Sequence, residues 1–273
     1  MDPEVEYLSG YRLENYERPS VAADIVVLTI RTSKPESFRK EPESKLSLLL
    51  VRRGVHPYKD HWALPGGFLR NGETVEQCAL RETQEETSVT PAALMNVGVF
   101  SEPGRDPRGW IISNAFVSIV GSTEIGQRKK SDASDARWFD VSFEQDEKGE
   151  YRLTLTSEDE RLNASLRKEK SRFGMTSFVI RDSGSLAFDH AAIIARALTA
   201  LRGRVREFEL VFDFLPEKFT LTELQTVQET VMNVSVVPAN FRRKAAGLVE
   251  ETDEYTEGAG HRPARLFRKK QIQ

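Results

Sequence analysis

The sequence predicts an α/β (α+β) fold in two units, with a boundary near Gly203. Three observations carry this expectation. Short apolar, partly β-branched runs recur between polar stretches, the pattern of buried strands. A glycine-punctuated turn, Leu64-Pro65-Gly66-Gly67-Phe68, leads into an acidic, helix-prone segment. Beyond Gly203 the pattern shifts to short amphipathic helices, then to two short runs joined by a glycine-rich stretch.

The elements follow in order. Ile25 to Ile30 and Leu46 to Val51 read as buried strands, separated by a polar, Pro35- and Pro42-containing loop from Arg31 to Lys45. Ile111 to Val120 predicts another buried strand, and Arg137 to Val141 a short one. Residues 142–185 are charged and weakly patterned and read as an insertion. Within it Tyr151 to Leu155 and Ser177 to Ile180 are expected to pair as a hairpin around a polar excursion. A helix follows, with Asp189 as its cap, Ile194, Ala197 or Leu198, and Leu201 at helical spacing, and Gly203 as its stop. Phe208, Leu210, Phe212 and Phe214 alternate with mostly polar neighbours, which predicts a half-buried strand. Thr220-Leu221-Thr222-Glu223 spells a capping box before the stripe Leu221, Leu224, Val227, Val231. A turn from Asn233 to Pro238 leads to a second helix with Phe241, Ala245 and Leu248 on one side.

Composition excludes several classes. Among 273 residues, 39 Lys and Arg stand against 42 Asp and Glu, so no overall basic excess signals nucleic acid. The single cysteine, Cys78, excludes an intramolecular disulfide framework and a cysteine-built zinc site; it reads as a small packing residue. No apolar run approaches the ~20 residues of a membrane helix, so no membrane partner is expected. The start of the chain lacks the pattern of a secretory signal, and a cytoplasmic location is the expectation.

The strongest chemical signal is acidic. At helical spacing Glu82, Glu85 and Glu86 share one face and repel one another. A hard divalent cation, Mg²⁺ or Mn²⁺, would reverse that penalty and bridge to substrate phosphates. Gly66 and Gly67 would let backbone approach such a site. Glu-x-x-Glu-Glu alone reads first as a solvated acidic helix face.

The full spacing resembles the Nudix box: Gly67, five residues, Glu73, seven residues, then Arg81-Glu82-x-x-Glu85-Glu86. The resemblance implies an α/β/α sandwich around a mixed sheet, with a loop–helix–loop that binds metal and a nucleoside diphosphate. It makes Glu82, Glu85 and Glu86 metal ligands and catalytic carboxylates if the chain is active. Arg81 would orient a carboxylate, and Glu73 would support the loop. Thr83 and Ser88 depart from the motif, standing where an aliphatic residue and a glycine are usual. Serine at that helix end costs about 1 kcal/mol in a left-handed conformation, or the turn changes. Ser101 to Gly109 resembles the Arg-Asp-Pro-Arg-Gly loop of ADP-ribose-type Nudix proteins, which assigns Arg105 and Arg108 to the ligand. Without the box, this loop would read as a charged surface turn. His190 reads as a helix-terminal packing residue rather than a catalyst.

Helix, turn, helix and a two-stranded wing is the order of a winged helix-turn-helix. Its DNA contacts would come from Thr220 and Thr222, from Asn240, Arg242, Arg243 and Lys244 on the second helix, and from His261, Arg262 and Arg265 in the wing. From Arg204 onward 11 basic residues balance 11 acidic ones, but the signs are segregated. The bland reading is a solvated basic tail on a small dimerisation domain.

Together the two halves resemble the Nudix-related transcriptional regulators, the NrtR family. That resemblance implies a Nudix-like sensing domain over 1–203 and a DNA-binding domain over 204–273. The expected function is a homodimeric repressor, commonly of NAD-metabolism genes, that binds double-stranded operator DNA and releases it when ADP-ribose or a similar nucleotide binds. The rival is a metal-dependent ADP-ribose pyrophosphatase yielding AMP and ribose 5-phosphate, alone or beside DNA binding. A third reading is an interaction module whose tail binds an acidic partner.

Overall fold

A computed structural model describes residues 2–32, 43–89, 94–121, 133–170, 176–208, 210–256 and 263–271. An exposed helix α1 (Pro3–Gly10) precedes the long strands β1 (Ser20–Thr32) and β2 (Ser44–Arg53). The short β3 (Trp62–Ala63) and β4 (Gly66–Phe68) lead to α2 (Val75–Thr87). Then come β5 (Met95–Phe100), β6 (Ile111–Ile119), β7 (Ala133–Gln145), β8 (Glu150–Thr156), β9 (Arg161–Lys170), β10 (Thr176–Asp182) and α3 (His190–Arg206). Two helices, α4 (Leu221–Met232) and α5 (Pro238–Ala245), and a hairpin of β11 (Val249–Tyr255) and β12 (Arg265–Lys269) complete the chain.

One mixed sheet organises the first unit, in the order β10-β9-β8-β7-β2-β1-β6-β5, with β3 on β2 and β4 on β1. β1 runs parallel to β6, and its other partners are antiparallel. Because successive side chains point to opposite faces, a strand covered on both sides is apolar throughout. β1 shows this directly: Val26 and Leu28 enter the core beneath α3, while Ile25 and Val27 enter the core that holds Cys78 and Ala79 of α2. The sheet between α2 and α3 is the expected α/β/α sandwich.

Several sequence expectations need correction. The expected insertion is a meander that widens the sheet, and β8 pairs with β7 and β9, not with β10. The supposed polar excursion contains β9, where Leu162, Ala164 and Leu166 alternate inward beneath charged neighbours. α3 passes through Gly203 to Arg206, because Leu201 and Val205 are both buried one turn apart and Gly203 lies on the exposed side. Asp189 stands at the cap position without capping; its carboxylate is drawn instead to Arg105.

Phe208 to Phe214 is not a strand. Val211–Phe214 forms a single 3₁₀ turn, and neighbouring Val211 and Phe212 are both buried, which a half-buried strand does not allow. Arg137 to Val141 is the middle of the longer β7. Leu248 lies beyond the end of α5. Most of the loop expected over 31–45 falls outside the described residues.

The capping box expected at Thr220 forms, and α2 carries a second one that the sequence reading did not name. Thr74 with Gln77, and Thr220 with Glu223, form reciprocal boxes at the starts of α2 and α4. Ser88 closes α2 at φ 60°, so the left-handed turn survives without glycine. Asn233 ends α4 in the same conformation, and Pro238 opens α5. α4 does not stand apart: Leu224, Val227 and Val231 belong to the same apolar core as Leu48, Phe143 and Leu198.

Candidate ligand cleft and nucleic-acid interface

The first site is built where the β4 turn meets α2. Arg81 is its hub. Its guanidinium grips both oxygens of Glu73 at 2.5 and 2.9 Å, Glu82 at 2.5 Å, and the Phe68 carbonyl at 3.2 Å. Arg81, then the Arg70 amide, hold the Glu73 carboxyl down to about 2. Glu85 is half exposed and faces Arg70 at 3.3 Å. Glu86 accepts the Gly66 amide at 3.1 Å, yet burial, reinforced by Glu82 and Asp24, pushes its carboxyl up to about 8.

The two glycines stand in close quarters. A Cβ on Gly66 would stand 2.4 Å from the Ala23 carbonyl and 2.6 Å from Asp24 Oδ1. On Gly67 it would meet the Glu82 carboxylate at 2.5 Å. β4 can therefore lie against β1 only with bare backbone at Gly66, whereas a side chain at Gly67 would displace the Glu82 carboxylate.

Across the cleft, Arg105 is 5% exposed and binds Asp189 with two parallel hydrogen bonds of 2.9 and 2.6 Å. Asp24 lies 3.6 Å from Arg105, accepts the Ser113 hydroxyl, and stands 3.7 Å from His190 Nε2. Burial raises the Asp24 carboxyl. His190 Nδ1 accepts the Leu64 amide at 2.9 Å, and burial pushes the imidazole down to about 4, so it is neutral near pH 7 with Nε2–H towards Asp24. Arg108 is half exposed, pairs with Asp106 at 2.6 Å, and lies over the Phe68 and Phe188 rings at 4.9 and 5.3 Å.

The open cleft has a volume of about 590 Å³ and includes Asp24, Glu82, Glu85, Glu86, Arg105 and Arg108 in its lining. That is room for a nucleotide-sized molecule. It combines exposed cation at Arg108 with stacked rings and a wall of carboxylates. A second depression, about 930 Å³, lies at the other ends of β1 and β7, where Arg31–Asp140 and Arg137–Asp135 pairs close on themselves.

The glutamates share the cleft without converging as a ligand set. Among the described residues no three carboxylate, imidazole or thiol groups are grouped so as to hold a metal ion. Glu82 and Glu85 both turn towards Arg81. This arrangement does not fit a resident cation.

Sequence reasoning missed Asp24, Ser113 and Asp189 as members of this site. Asp24 did leave a trace: it is the only acid in the apolar run from Val21 to Ile30. A carboxylate buried in a strand requires partners.

The second site lies on α5 and the hairpin. Phe241 and Ala245 anchor α5 in the core, and this fixes Asn240, Arg242, Arg243 and Lys244 on the exposed side. Arg243 donates to Asn240 at 3.2 Å. Thr222 is exposed in the first turn of α4, whereas the buried Thr220 hydroxyl accepts the Glu223 amide at the cap. Arg265 is held by Glu251 and the Tyr255 hydroxyl, and Arg268 by Glu250 at 2.6 Å. His261 and Arg262 lie outside the described residues. No described helix is long and apolar enough to cross a membrane.

Comparison with known proteins places both units in known families. The NUDIX domain family matches residues 38–154, and the NrtR DNA-binding winged helix domain matches residues 211–268. The chain is 28% identical over 269 residues to the ADPR responsive transcriptional repressor NtrR of Acinetobacter baylyi, covering 97% of this chain and 88% of that one. It is 38% identical over 135 residues to the ADP-ribose pyrophosphatase of Methanocaldococcus jannaschii, covering 50% of this chain and 69% of that protein. A MutT/nudix family protein from Enterococcus faecalis has a similar crystal structure, with TM-score 0.74 and 26% identity, covering 98% of this chain and 92% of that one. The chain belongs to the Nudix family and carries, behind its Nudix domain, a winged-helix domain of the NrtR type.

Proposed function

We propose that this protein is an ADP-ribose-responsive transcriptional repressor. A single observation carries the reading: a nucleotide-sized Nudix cleft and a winged helix share one chain and one core. The repressor of Acinetobacter baylyi, similar along almost the whole chain, supports it. Residues 1–203 sense the ligand and 204–273 bind double-stranded operator DNA.

Arg108, half exposed and stacked on the rings of the cleft, takes the diphosphate, while Arg105 is held by Asp189 and shapes the wall. Gly66 and Gly67 keep the backbone open to the ligand. On the DNA side α5 enters the major groove with Arg242, Arg243 and Lys244. Thr222, Asn240 and the wing residues His261, Arg262 and Arg265 add contacts. The protein acts in the cytoplasm as a homodimer, which places two reading helices on half-sites about one helical turn apart. Occupation of the cleft stabilises a geometry that mismatches those half-sites, and DNA leaves. Genes of NAD metabolism fit an ADP-ribose signal. Fluorescence anisotropy against a selected DNA library tests the reading. Submicromolar operator binding that weakens on adding ADP-ribose is expected; no sequence-selective binding at moderate salt would overturn it.

A second reading, ADP-ribose hydrolysis, is favoured by the retention of Glu82, Glu85 and Glu86 on the cleft wall. The similarity to the pyrophosphatase of Methanocaldococcus jannaschii points the same way. Binding of Mg²⁺ or Mn²⁺ would require Glu82 and Glu85 to leave Arg81. Release of AMP from ADP-ribose in the presence of Mg²⁺, lost in Glu86→Gln, would establish it.

A further inference from the structure

α3 touches the supports of both sites, at its two opposite ends. Its N-terminal Asp189 receives Arg105 from the cleft wall. About 20 Å further along, at ~1.5 Å per residue, Arg202 reaches the winged helix. Arg202 Nε donates to the Val231 carbonyl at 3.1 Å, and Nη1 donates to the Phe143 carbonyl at 2.9 Å. The guanidinium also lies 5.6 Å from the centre of the Phe143 ring. One planar group thus joins α3, β7 and α4.

The chemistry of that junction is specific. Val231 lies in the last turn of α4, whose terminal carbonyls lack helical partners and carry the negative end of the helix dipole. A cation there stabilises the helix end and fixes its position. Both acceptors are neutral carbonyls, and burial lowers the affinity of Arg202 for its proton. Two further contacts flank it: Asn233 Nδ2 faces Glu144 at 3.4 Å, and Gln228 Nε2 faces the Val205 carbonyl at 3.4 Å. Asn233 opens the short turn to α5, so the orientation of the exposed cations is set a few residues downstream of this clasp.

We propose that Arg202 is the positioning residue through which the cleft governs the DNA-reading helix. Tightening or release of Arg105 at the start of α3 displaces its far end, and Arg202 carries that displacement to the end of α4. The inference rests on the ligand-responsive repressor reading. Binding coupling is a ratio of affinities, so it separates positioning from simple stabilisation.

The test uses the full chain, with operator affinity measured with and without saturating ADP-ribose, and ADP-ribose affinity measured by calorimetry. In wild type the ligand is expected to weaken DNA binding by a factor in the ~5–150-fold range typical of coupled sites. In Arg202→Met that factor should fall below about twofold while ADP-ribose affinity stays within about twofold. Arg202→Lys should fall between the two, because an ammonium lacks the planar fork that reaches both carbonyls. A folded Arg202→Met protein with an unchanged factor would overturn the inference alone. An unresponsive wild type would overturn the functional reading and this inference with it. If Arg202→Met does not fold, amide exchange over 228–236 in wild type decides: altered protection on adding ADP-ribose supports the clasp, and unaltered protection refutes it.

Discussion

The cleft and the reading helix hold their charges in opposite ways. In the cleft almost every charge is already committed within the protein: Arg81 to Glu73 and Glu82, Arg105 to Asp189, Arg108 to Asp106. On α5 Arg242, Arg243 and Lys244 face solvent from a helix whose first turn has no acid. The cleft is a preorganised network in which a ligand must compete with internal partners. The helix is an exposed electrostatic surface suited, on the proposed reading, to a polyanion. The first arrangement favours selectivity and conformational response; the second favours affinity and salt dependence. The hairpin lies between them, since its cations are paired across strands with an acidic neighbour.

Removing Arg105 should break the cleft's side of this comparison most severely. Arg105→Met leaves Asp24 and Asp189 without their cation, and breaking one partner of a buried pair costs about 3–5 kcal/mol. Urea unfolding should show that loss, and calorimetry a loss of ADP-ribose binding. On the other side, the combined change of Arg242, Arg243 and Lys244 to Ala should weaken operator binding strongly while sparing ligand affinity. The slope of log affinity against log salt should become shallower by about one for each phosphate that is no longer neutralised. An unchanged slope would move the DNA surface elsewhere.

Titration sharpens the contrast, because the cleft buries Glu86 and His190. Glu86 ionises near 8 in the fold and near 4.5 when unfolded, so the native state holds the extra proton between these values. Stability should therefore fall as pH rises through that window, by at most ~1.4 kcal/mol per unit, and level off above it. His190 has the opposite sign: it is near 4 in the fold against 6.5 unfolded, so it costs stability as pH falls from 6.5 towards 4. Glu86→Gln should abolish the decline above pH 6.5, as read by urea midpoints at pH 4.5, 6.5 and 8.5. Between 4.5 and 6.5, where the two slopes offset each other in wild type, it should uncover the loss on acidification caused by His190. The smallest effect belongs to the hairpin. Glu251→Gln frees Arg265 and should tighten operator binding a fewfold, measurable by anisotropy at low salt and vanishing at high salt.

Local features were legible in the sequence. The capping box at Thr220, the turn at Asn233–Pro238 and the acidic face of α2 depend on neighbours three or four residues apart. The strands β1, β2 and β6 were legible because burial on both faces makes them apolar throughout. β9 was not, since a strand exposed on one face hides its small inward set, Leu162, Ala164 and Leu166, among charges. The aromatic run from Phe208 misled because spacing by two also supplies the spacing by four of a turn.

The sequence by itself therefore determined the chemistry available to each unit: carboxylates on one helix face, cations on another, and glycines where backbones meet. Tertiary structure decided which of those groups are spoken for. Asp24, Arg105, Asp189 and His190 come from distant parts of the chain, and only the β1–β6 register and the start of α3 bring them together. The bond from Arg202 to Val231 likewise exists because α4 packs into the core of the sheet. Pairing of this kind depends on where strands and helices dock, which is set by the burial of whole faces, and no local spacing encodes it.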